Sequence, residues 1–478
     1  MTADLRVLHL TSSFPRTAQD HVAPFLLDLV RAQTAAGISA RVLAPHDARA
    51  PMTESLDGIT VRRFRYGPDQ VETLGYRGGL QSRIRTPAGL LLPAFLAAFT
   101  AAAAYEVATW RPHVVHAHWW LPAGLCALPA AGCGGCPLVV TLHGSDAHLL
   151  TRPVLGAVGR LVLRRAALVT VVSADLRRRV AAAVDLPPGR LVELALPVAI
   201  GPGRTRPLPP APPVRLLAAG RLSPEKGFDL LLRALVLAGA GGLDATLTLV
   251  GSGPERERLA ARAGPLGTRV RLVPAVPRAQ LWGFMDRAHA VIVPSRREGL
   301  GLVAAEALAR GRPVVASRIG GLPELLAAPG AGLLVLPDDV AALATALCRL
   351  PLPAPGPAAL GRRVPAAVGA DHRAAYEAVL DRAVLDREPV PDRAVPDRAV
   401  LDQDVPDRDV PDRDVLDRAV PDREPVPDRE PVPDRAVPDR DVLDREPVPD
   451  RDVPDREPVP DRAVLDREPG PARSAINR

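Results

Sequence analysis

The chain has almost no lysine and almost no asparagine. Lys226 is the sole lysine beside 59 arginines, and Asn477 is the sole asparagine. A skew of this kind follows coding-DNA composition as readily as function, so arginine content alone identifies no partner. Aromatic residues make up 3% of the chain, and no basic run is interleaved with them. That removes the usual grounds for a nucleic-acid partner. Four cysteines (Cys126, Cys133, Cys136, Cys348) are too few for a disulfide scaffold and fit a reducing compartment. Cys133 and Cys136 have redox or zinc spacing, but no second pair and no histidine pattern goes with them. No secretory leader is expected, because Asp4 and Arg6 interrupt the first apolar run. The longest apolar stretch, 88–104, is alanine-rich and contains Pro93. It is shorter than a membrane span and reads as a helix packed on a sheet. Peripheral contact with a membrane is the lesser alternative.

What is present is unevenly spread. From residue 381 onward there are 28 acidic and 18 basic residues, against 26 and 42 in the preceding 380. A basic body suits phosphate-bearing ligands or an anionic membrane face. Beyond residue 385, units such as Val-Pro-Asp-Arg-Ala and Glu-Pro-Val-Pro-Asp-Arg recur as far as Pro469. Units so short, charged and proline-rich cannot bury a core, so 385–478 is expected to be a disordered tail.

Ahead of the tail, apolar runs alternate with helical patterns. Leu5 to Leu10, a helix over 23–37 ended by Gly37, and a strand over 40–45 make a βαβ opening. Strands over 112–118 and 138–143 bring His118 and His143 to the edge where parallel sheets bind ligands. Six prolines in 201–213 exclude a strand and mark a linker. A second α/β unit follows, with strands starting at 214, 245, 270, 290 and 313. The expected organisation is 1–200, a linker over 201–213, a second domain over 214–365, a helix over 366–384, and the tail.

The chemistry concentrates in loops that follow strands of the second unit. Gly220-Arg221-Leu222-Ser223-Pro224-Glu225-Lys226-Gly227 offers a close turn, a guanidinium able to bind two phosphate oxygens, and a compact ammonium. The sole lysine thus falls where a phosphate-binding lysine would be used. Gly251 sits in a second glycine-rich turn, and Gly320-Gly321 form a third. After the strand ending at Val293, the chain runs Pro294-Ser295-Arg296-Arg297-Glu298-Gly299-Leu300-Gly301-Leu302 into a helix carrying Glu306. A strand, a glycine loop and a helix N-terminus form an anion site. Two carboxylates beside it make sense if the ligand also bears sugar hydroxyls. The implied ligand is part phosphate and part sugar.

These residues resemble the retaining glycosyltransferases of family 4. The resemblance covers about 5–384 and rests most on Glu298 and Glu306 with seven residues between them. His143-Gly144-Ser145-Asp146 and Gly311-Arg312-Pro313 support it. It implies an α/β GT-B fold, two Rossmann-like domains facing a cleft. It implies transfer of a hexose from a nucleotide diphosphate-sugar to an acceptor hydroxyl with retained anomeric configuration. Neither a metal nor a cofactor is expected. By resemblance, Arg221 and Lys226 bind the donor diphosphate with the Gly220 and Gly251 turns. Glu298 holds the transferred sugar, helped by Gly299, Gly301 and Leu302. Glu306 holds the ribose, and His143 faces the donor sugar. His118 and Asp146 are weaker candidates on the acceptor side, Asp146 as a base or as a helix cap. The expected location is cytoplasmic. The alternatives are a membrane-associated enzyme using a lipid or sugar-phosphate acceptor, and an inactive scaffold. Arg77, Arg83 and Arg85 are offered to an acidic acceptor or to solvent. Three positions depart from the family pattern. Asp20-His21-Val22-Ala23-Pro24 stands where paired glycines are usual, Val198-Ala199-Ile200 follows Pro197, and Val273 and Ala275 precede the base-binding loop.

Overall fold

The computed structural model describes residues 4–20, 22–48, 50–76, 87–199, 207–356 and 361–385. The repeat tail beyond Leu385 and Arg77, Arg83 and Arg85 lie outside these residues.

The first half is built on β1 (Leu5–Leu10), β2 (Ile38–Pro45), β3 (Thr53–Leu56), β4 (Ile59–Phe64), β5 (Val114–His118), β6 (Leu138–Leu142), β7 (Leu168–Val171) and β8 (Leu191–Glu193). They lie in the order β3-β4-β2-β1-β5-β6-β7-β8. All neighbours are parallel except β3 and β4. Helices α1 (Pro24–Ala35), α2 (Leu92–Trp110), α3 (Leu125–Gly134), α4 (Pro153–Arg165) and α5 (Ala174–Ala183) flank the sheet. Strands buried on both faces need unbroken apolar runs, and β6 and β7 are buried at every residue. Ser173 opens α5 by accepting the Leu176 N–H at 3.3 Å.

The second half repeats the plan with β9 (Val214–Ala219), β10 (Ala245–Val250), β11 (Val270–Val273), β12 (Ala290–Val293), β13 (Val314–Ser317) and β14 (Gly332–Val335). Their order is β11-β10-β9-β12-β13-β14, all parallel. The helices are α6 (Phe228–Ala240), α7 (Arg256–Ala263), α8 (Arg278–Asp286), α9 (Leu302–Ala309), α10 (Leu322–Leu325) and α11 (Val340–Cys348).

A last helix, α12 (Pro365–Leu385), is longer at both ends than the expected helix. It packs on the first half. Tyr376 and Val379 join Leu5, Val7, Ile38, Val114, Val139 and Leu168 in one buried cluster. The chain therefore crosses from the second half back to the first, and the final helix completes the first half's core.

In both sheets strand order reverses direction once, between β1 and β5 and between β9 and β12. Loops leaving such a pair part to opposite faces and open a crevice at the C-terminal strand ends, where ligands bind. Among the described residues one helix, Pro87–Trp110, is long and apolar enough to cross a membrane. It buries Phe95, Phe99, Ala103 and Val107, while Leu90 and Tyr105 are exposed. Phe99 stacks on Phe64 with ring centroids 4.5 Å apart. Each buried phenyl contributes about 1.5–3 kcal/mol, which ties the helix to its sheet.

Candidate active site

The switch point of the second sheet builds one wall of a cavity of about 1130 Å³. The loop after β9 supplies Gly220, Arg221, Ser223, Glu225 and Lys226, and the loop after β12 supplies Pro294, Ser295, Arg297, Glu298, Gly299, Leu300 and Gly301. The two loops are stitched together. The Glu225 carbonyl accepts the N–H groups of Arg296 at 2.8 Å and Arg297 at 3.2 Å. Gly227 is required there, since a Cβ would lie 2.0 Å from the Pro294 carbonyl oxygen.

Lys226 Nζ donates to Glu298 Oε2 at 2.7 Å. Ser295 Oγ donates to the same oxygen at 3.2 Å. The ammonium and the carboxylate thus hold each other at the cavity wall. A diphosphate would take over the ammonium and sugar hydroxyls the carboxylate, so a ligand with both groups exchanges one satisfied arrangement for another. Gly301 caps α9, whose first residues Leu302 and Val303 also line the cavity. Their N–H groups lie in the first turn, where the helix leaves donors unpaired. The cavity wall carries Arg160, Arg179, Arg221, Lys226 and Arg297 against two carboxylates, Glu225 and Glu298. It is built for an anion.

The opposite wall comes from the first half, with Phe25, Trp119, His143, Gly144 and Ser145. The halves meet closely, since a Cβ on Gly299 would lie 2.2 Å from the His143 carbonyl oxygen. Ser173 Oγ donates to the Gly299 carbonyl at 3.2 Å. Trp119 has φ +67°, a conformation costly for a non-glycine residue and typical of functional loops. Trp120 is wholly buried, and its Nε1–H donates to the Asp146 carbonyl at 2.8 Å, so it packs the loop.

Asp146 is a correction to the helix-cap alternative. Its carboxylate accepts the N–H groups of His143 at 3.2 Å and Gly144 at 3.1 Å, and makes no capping hydrogen bond to the short helix Ala147–Thr151 that it precedes. Burial pushes its pKa up to about 6. It shapes the His143 turn from beneath and does not line the cavity.

His143 is one end of a row of imidazoles. His118 Nδ1 lies 3.2 Å from His143 Nε2, and His118 Nε2 lies 3.1 Å from His9 Nδ1. Burial, then the nearby His372, pushes His143 down to about 3. The same two causes bring His9 to about 3, and burial holds His116 and His118 well below the ordinary value. All are neutral at pH 7. His118 stands behind His143 and does not line the cavity. Among the described residues, His9, His116 and His118 present nitrogens within 4.8 Å of one another, as a metal would require. Both His116 nitrogens are already engaged, with Tyr376 and Thr141 at 2.6 Å each.

Two further candidates stand off the cavity. Gly251 packs against Gly220, whose carbonyl oxygen would lie 1.9 Å from a Cβ there. It supports the turn and does not line the cavity. Glu306 is buried and accepts Arg278 Nη2 at 2.6 Å. Arg278 also pairs with Asp28 of α1, so a guanidinium from α8 links Glu306 to the first half. Burial raises the Glu306 pKa, and Arg278 opposes that. Cys133 and Cys136 are not joined in a disulfide.

Phe25, Arg297 and Arg278 were not anticipated. Arg297 stood in the quoted motif, and only the glutamate and glycines beside it drew notice. Phe25 read as one apolar residue of a helix face. Arg278 shows its role only once α8 is placed.

Two parallel-sheet halves with an anion-binding cavity at their strand ends define a two-domain α/β scaffold of the GT-B type. The chain belongs to the group 1 glycosyl transferases. The family described as "Glycosyl transferases group 1" matches residues 213–351, and "Glycosyl transferase 4-like domain" matches 22–197. The D-inositol 3-phosphate glycosyltransferase of Nocardioides sp. is 32% identical over 367 residues, covering 68% of this chain and 76% of that one. The glycogen synthase of Mycobacterium tuberculosis is 33% identical over 252 residues, covering 50% of this chain and 60% of that one. Among solved structures, Anabaena HepE in complex with UDP-glucose superposes with TM-score 0.53 at 19% identity, covering 80% of this chain and 99% of that one.

Proposed function

We propose that the protein transfers a hexose from a nucleoside diphosphate-sugar to an acceptor hydroxyl, with retention and without a metal. The observation that carries this is the pairing of Lys226 with Glu298 beside Arg221, on a wall facing His143. One ligand with a diphosphate and a sugar answers both charges. The relatives' names, a glycogen synthase and an inositol-phosphate glycosyltransferase, and the UDP-glucose bound by HepE support the donor class.

In this reading Arg221, Lys226 and the α9 N-terminus hold the diphosphate. The bond from the anomeric carbon to the diphosphate oxygen breaks through an oxocarbenium-like state. The acceptor oxygen bonds to that carbon on the same face, and its proton ends on the departing diphosphate. The fixed cations stabilise the developing charge, the largest usual contribution of a preorganised site. Glu298 holds sugar hydroxyls. Glu306 holds the ribose after exchanging Arg278 for it.

A panel of nucleotide-sugars with candidate acceptors tests the reading. The expected result is transfer that survives EDTA, with a retained anomeric configuration by NMR. An inverted product or loss of activity in EDTA overturns those details, and neither transfer nor hydrolysis with any donor overturns the whole. A second reading, a lipid or sugar-phosphate acceptor at a membrane, draws on the exposed apolar residues of Pro87–Trp110. Salt-sensitive co-sedimentation with anionic vesicles supports it, and no sedimentation removes it.

A further inference from the structure

Trp119 and Trp120 follow β5 in succession and differ in what holds them. Trp120 is wholly buried, and its Nε1–H is tied to the Asp146 carbonyl. Trp119 is half-buried and lines the cavity. Its indole makes no hydrogen bond among the described residues. The backbone at Trp119 is strained, with φ +67° and ψ +133°, a combination that glycine adopts freely and a side chain opposes. Its N–H donates to the Thr141 carbonyl at 2.9 Å, and its carbonyl accepts the Gly124 N–H at 3.0 Å. The surrounding loop thus holds a tryptophan where glycine would fit without strain. Strain of this kind persists only where the neighbouring structure enforces it, and it gathers at functional sites. The turn brings one tryptophan to the cavity and buries the next.

Two more rings stand against the indole. Phe25, in the first turn of α1, meets it edge to face with centroids 6.2 Å apart. His143, after β6, lies 4.9 Å from it and 5.2 Å from Phe25. All three rings line the cavity. Three separate elements therefore converge on one aromatic surface. His143 is also where the second half comes closest, at Gly299, and Glu298 beside that glycine lines the cavity too. The aromatic surface thus adjoins the charged wall. The first half also brings polar groups to the cavity, among them Ser145, His148, Thr151 and Arg160. An aromatic face with polar groups around it suits a ligand that has one apolar face and a rim of hydroxyls. A planar aromatic ligand is apolar on both faces and leaves those polar groups unanswered. A cyclic polyol fits, since its C–H bonds make the face and its hydroxyls the rim.

We propose that Trp119, flanked by Phe25 and His143, is the platform on which the acceptor sits, and that the acceptor is a cyclic polyol, a sugar or a cyclitol, with its C–H face on the indole. Its role as acceptor rests on the proposed function; the stacked polyol does not. Trp119 is then the residue that selects a ring-shaped acceptor, and its strained backbone is what sets it there.

The test uses the full chain saturated with UDP. The probes are glucose, maltose and myo-inositol, with glycerol and 4-nitrophenol as acyclic and planar controls. Proton NMR of each probe reads stacking directly, because protons above an aromatic face move upfield. The wild type should bind a cyclic polyol more tightly than either control and shift its ring protons upfield. Trp119→Ala should abolish the shift and weaken the Kd by about 10-fold, the scale of one aromatic contact. Trp119→Phe keeps a flat face and should retain most of both. With a working donor, Trp119→Ala should raise the KM for the acceptor and leave the KM for the donor unchanged. Trp119→Gly should melt above Trp119→Ala, since both lack the indole and only glycine accommodates the backbone. No upfield shift for any polyol, a shift that survives Trp119→Ala, tighter binding of a control, or Trp119→Gly melting no higher than Trp119→Ala would overturn the inference. A polyol that stacks on Trp119 yet receives no sugar from any donor would count against the proposed function alone.

Discussion

The two walls of the cavity stand on the same parallel-sheet plan and differ in chemistry: the ion pair and the glycine loops are on one, the aromatic rings and the imidazole on the other. The second half lines the cavity with charge: Lys226 against Glu298, with Arg221 and Arg297 beside them. The first half lines it with rings, Phe25, Trp119 and a histidine kept uncharged by burial, and adds Arg160 and Arg179. A diphosphate needs fixed cations, and a sugar needs flat faces and directional hydrogen bonds. In the proposed reading, the difference between the walls matches the two ends of one ligand.

That contrast can be stressed from its largest effect downward. The first half buries five neutral histidines, His9, His116, His118, His143 and His372. Each pKa is lower folded than unfolded, so below pH 6.5 the unfolded chain binds more protons. The stability from neutral burial is complete above 6.5 and is lost as pH falls towards about 4 for His372 and about 3 for His9 and His143. The slope is about 1.4 kcal/mol per pH unit for each such imidazole. Asp146, raised to about 6, acts in the opposite sense. Its contribution is present below 3.8 and is lost as pH rises through about 6, which softens the fall. Calorimetry from pH 7 to 4.5 should show a steep drop in Tm. Hydrogen exchange, corrected for intrinsic rates, should open 4–199 before 214–350. Uniform opening would remove the contrast.

Arg278→Ala leaves two buried carboxylates, Asp28 and Glu306, facing each other across the halves. Breaking a buried pair in this way costs about 3–5 kcal/mol, to be read from urea unfolding. An unchanged midpoint would mean the bridge is not formed in solution. Lys226→Ala should raise the transfer barrier by about 2–4 kcal/mol, measured as kcat/KM with a working donor. A wild-type rate would take the charged wall out of the reaction. Ala23 has φ +47° at the start of α1. Left-handed backbone costs an alanine about 1–2 kcal/mol, and glycine loses about half to one of that in chain entropy. Ala23→Gly should therefore stabilise by up to about 1 kcal/mol in the same urea experiment.

The same contrast governs what could be read before the fold was known. Strand–helix alternation and the proline-rich 201–213 gave away two parallel sheets, because period and punctuation are local. The charged wall was legible too, since Gly220–Gly227 and Pro294–Gly301 are contiguous loops following strands, with their glycines and charges in one run. The neutral wall was only half legible. His143 and His118 appeared at strand ends, but His9, which completes their row, comes from β1. A hydrogen-bonded row assembled from separate strands leaves no spacing in sequence. Arg278 was hidden for the same reason, because its carboxylates lie 250 residues before it and 28 after. Ala23 shows a subtler limit. The missing glycines were visible, but not that the backbone keeps a left-handed turn without them.

The central claim is that the charged wall, through Lys226, holds the diphosphate of the ligand. Calorimetric titration of the full chain with UDP and other nucleoside diphosphates tests it most directly. The account predicts saturable binding by the wild type and affinity weaker by about 10-fold or more in Lys226→Ala, the loss of one charge-assisted contact. No binding of any nucleoside diphosphate, or equal affinity in Lys226→Ala, would contradict it.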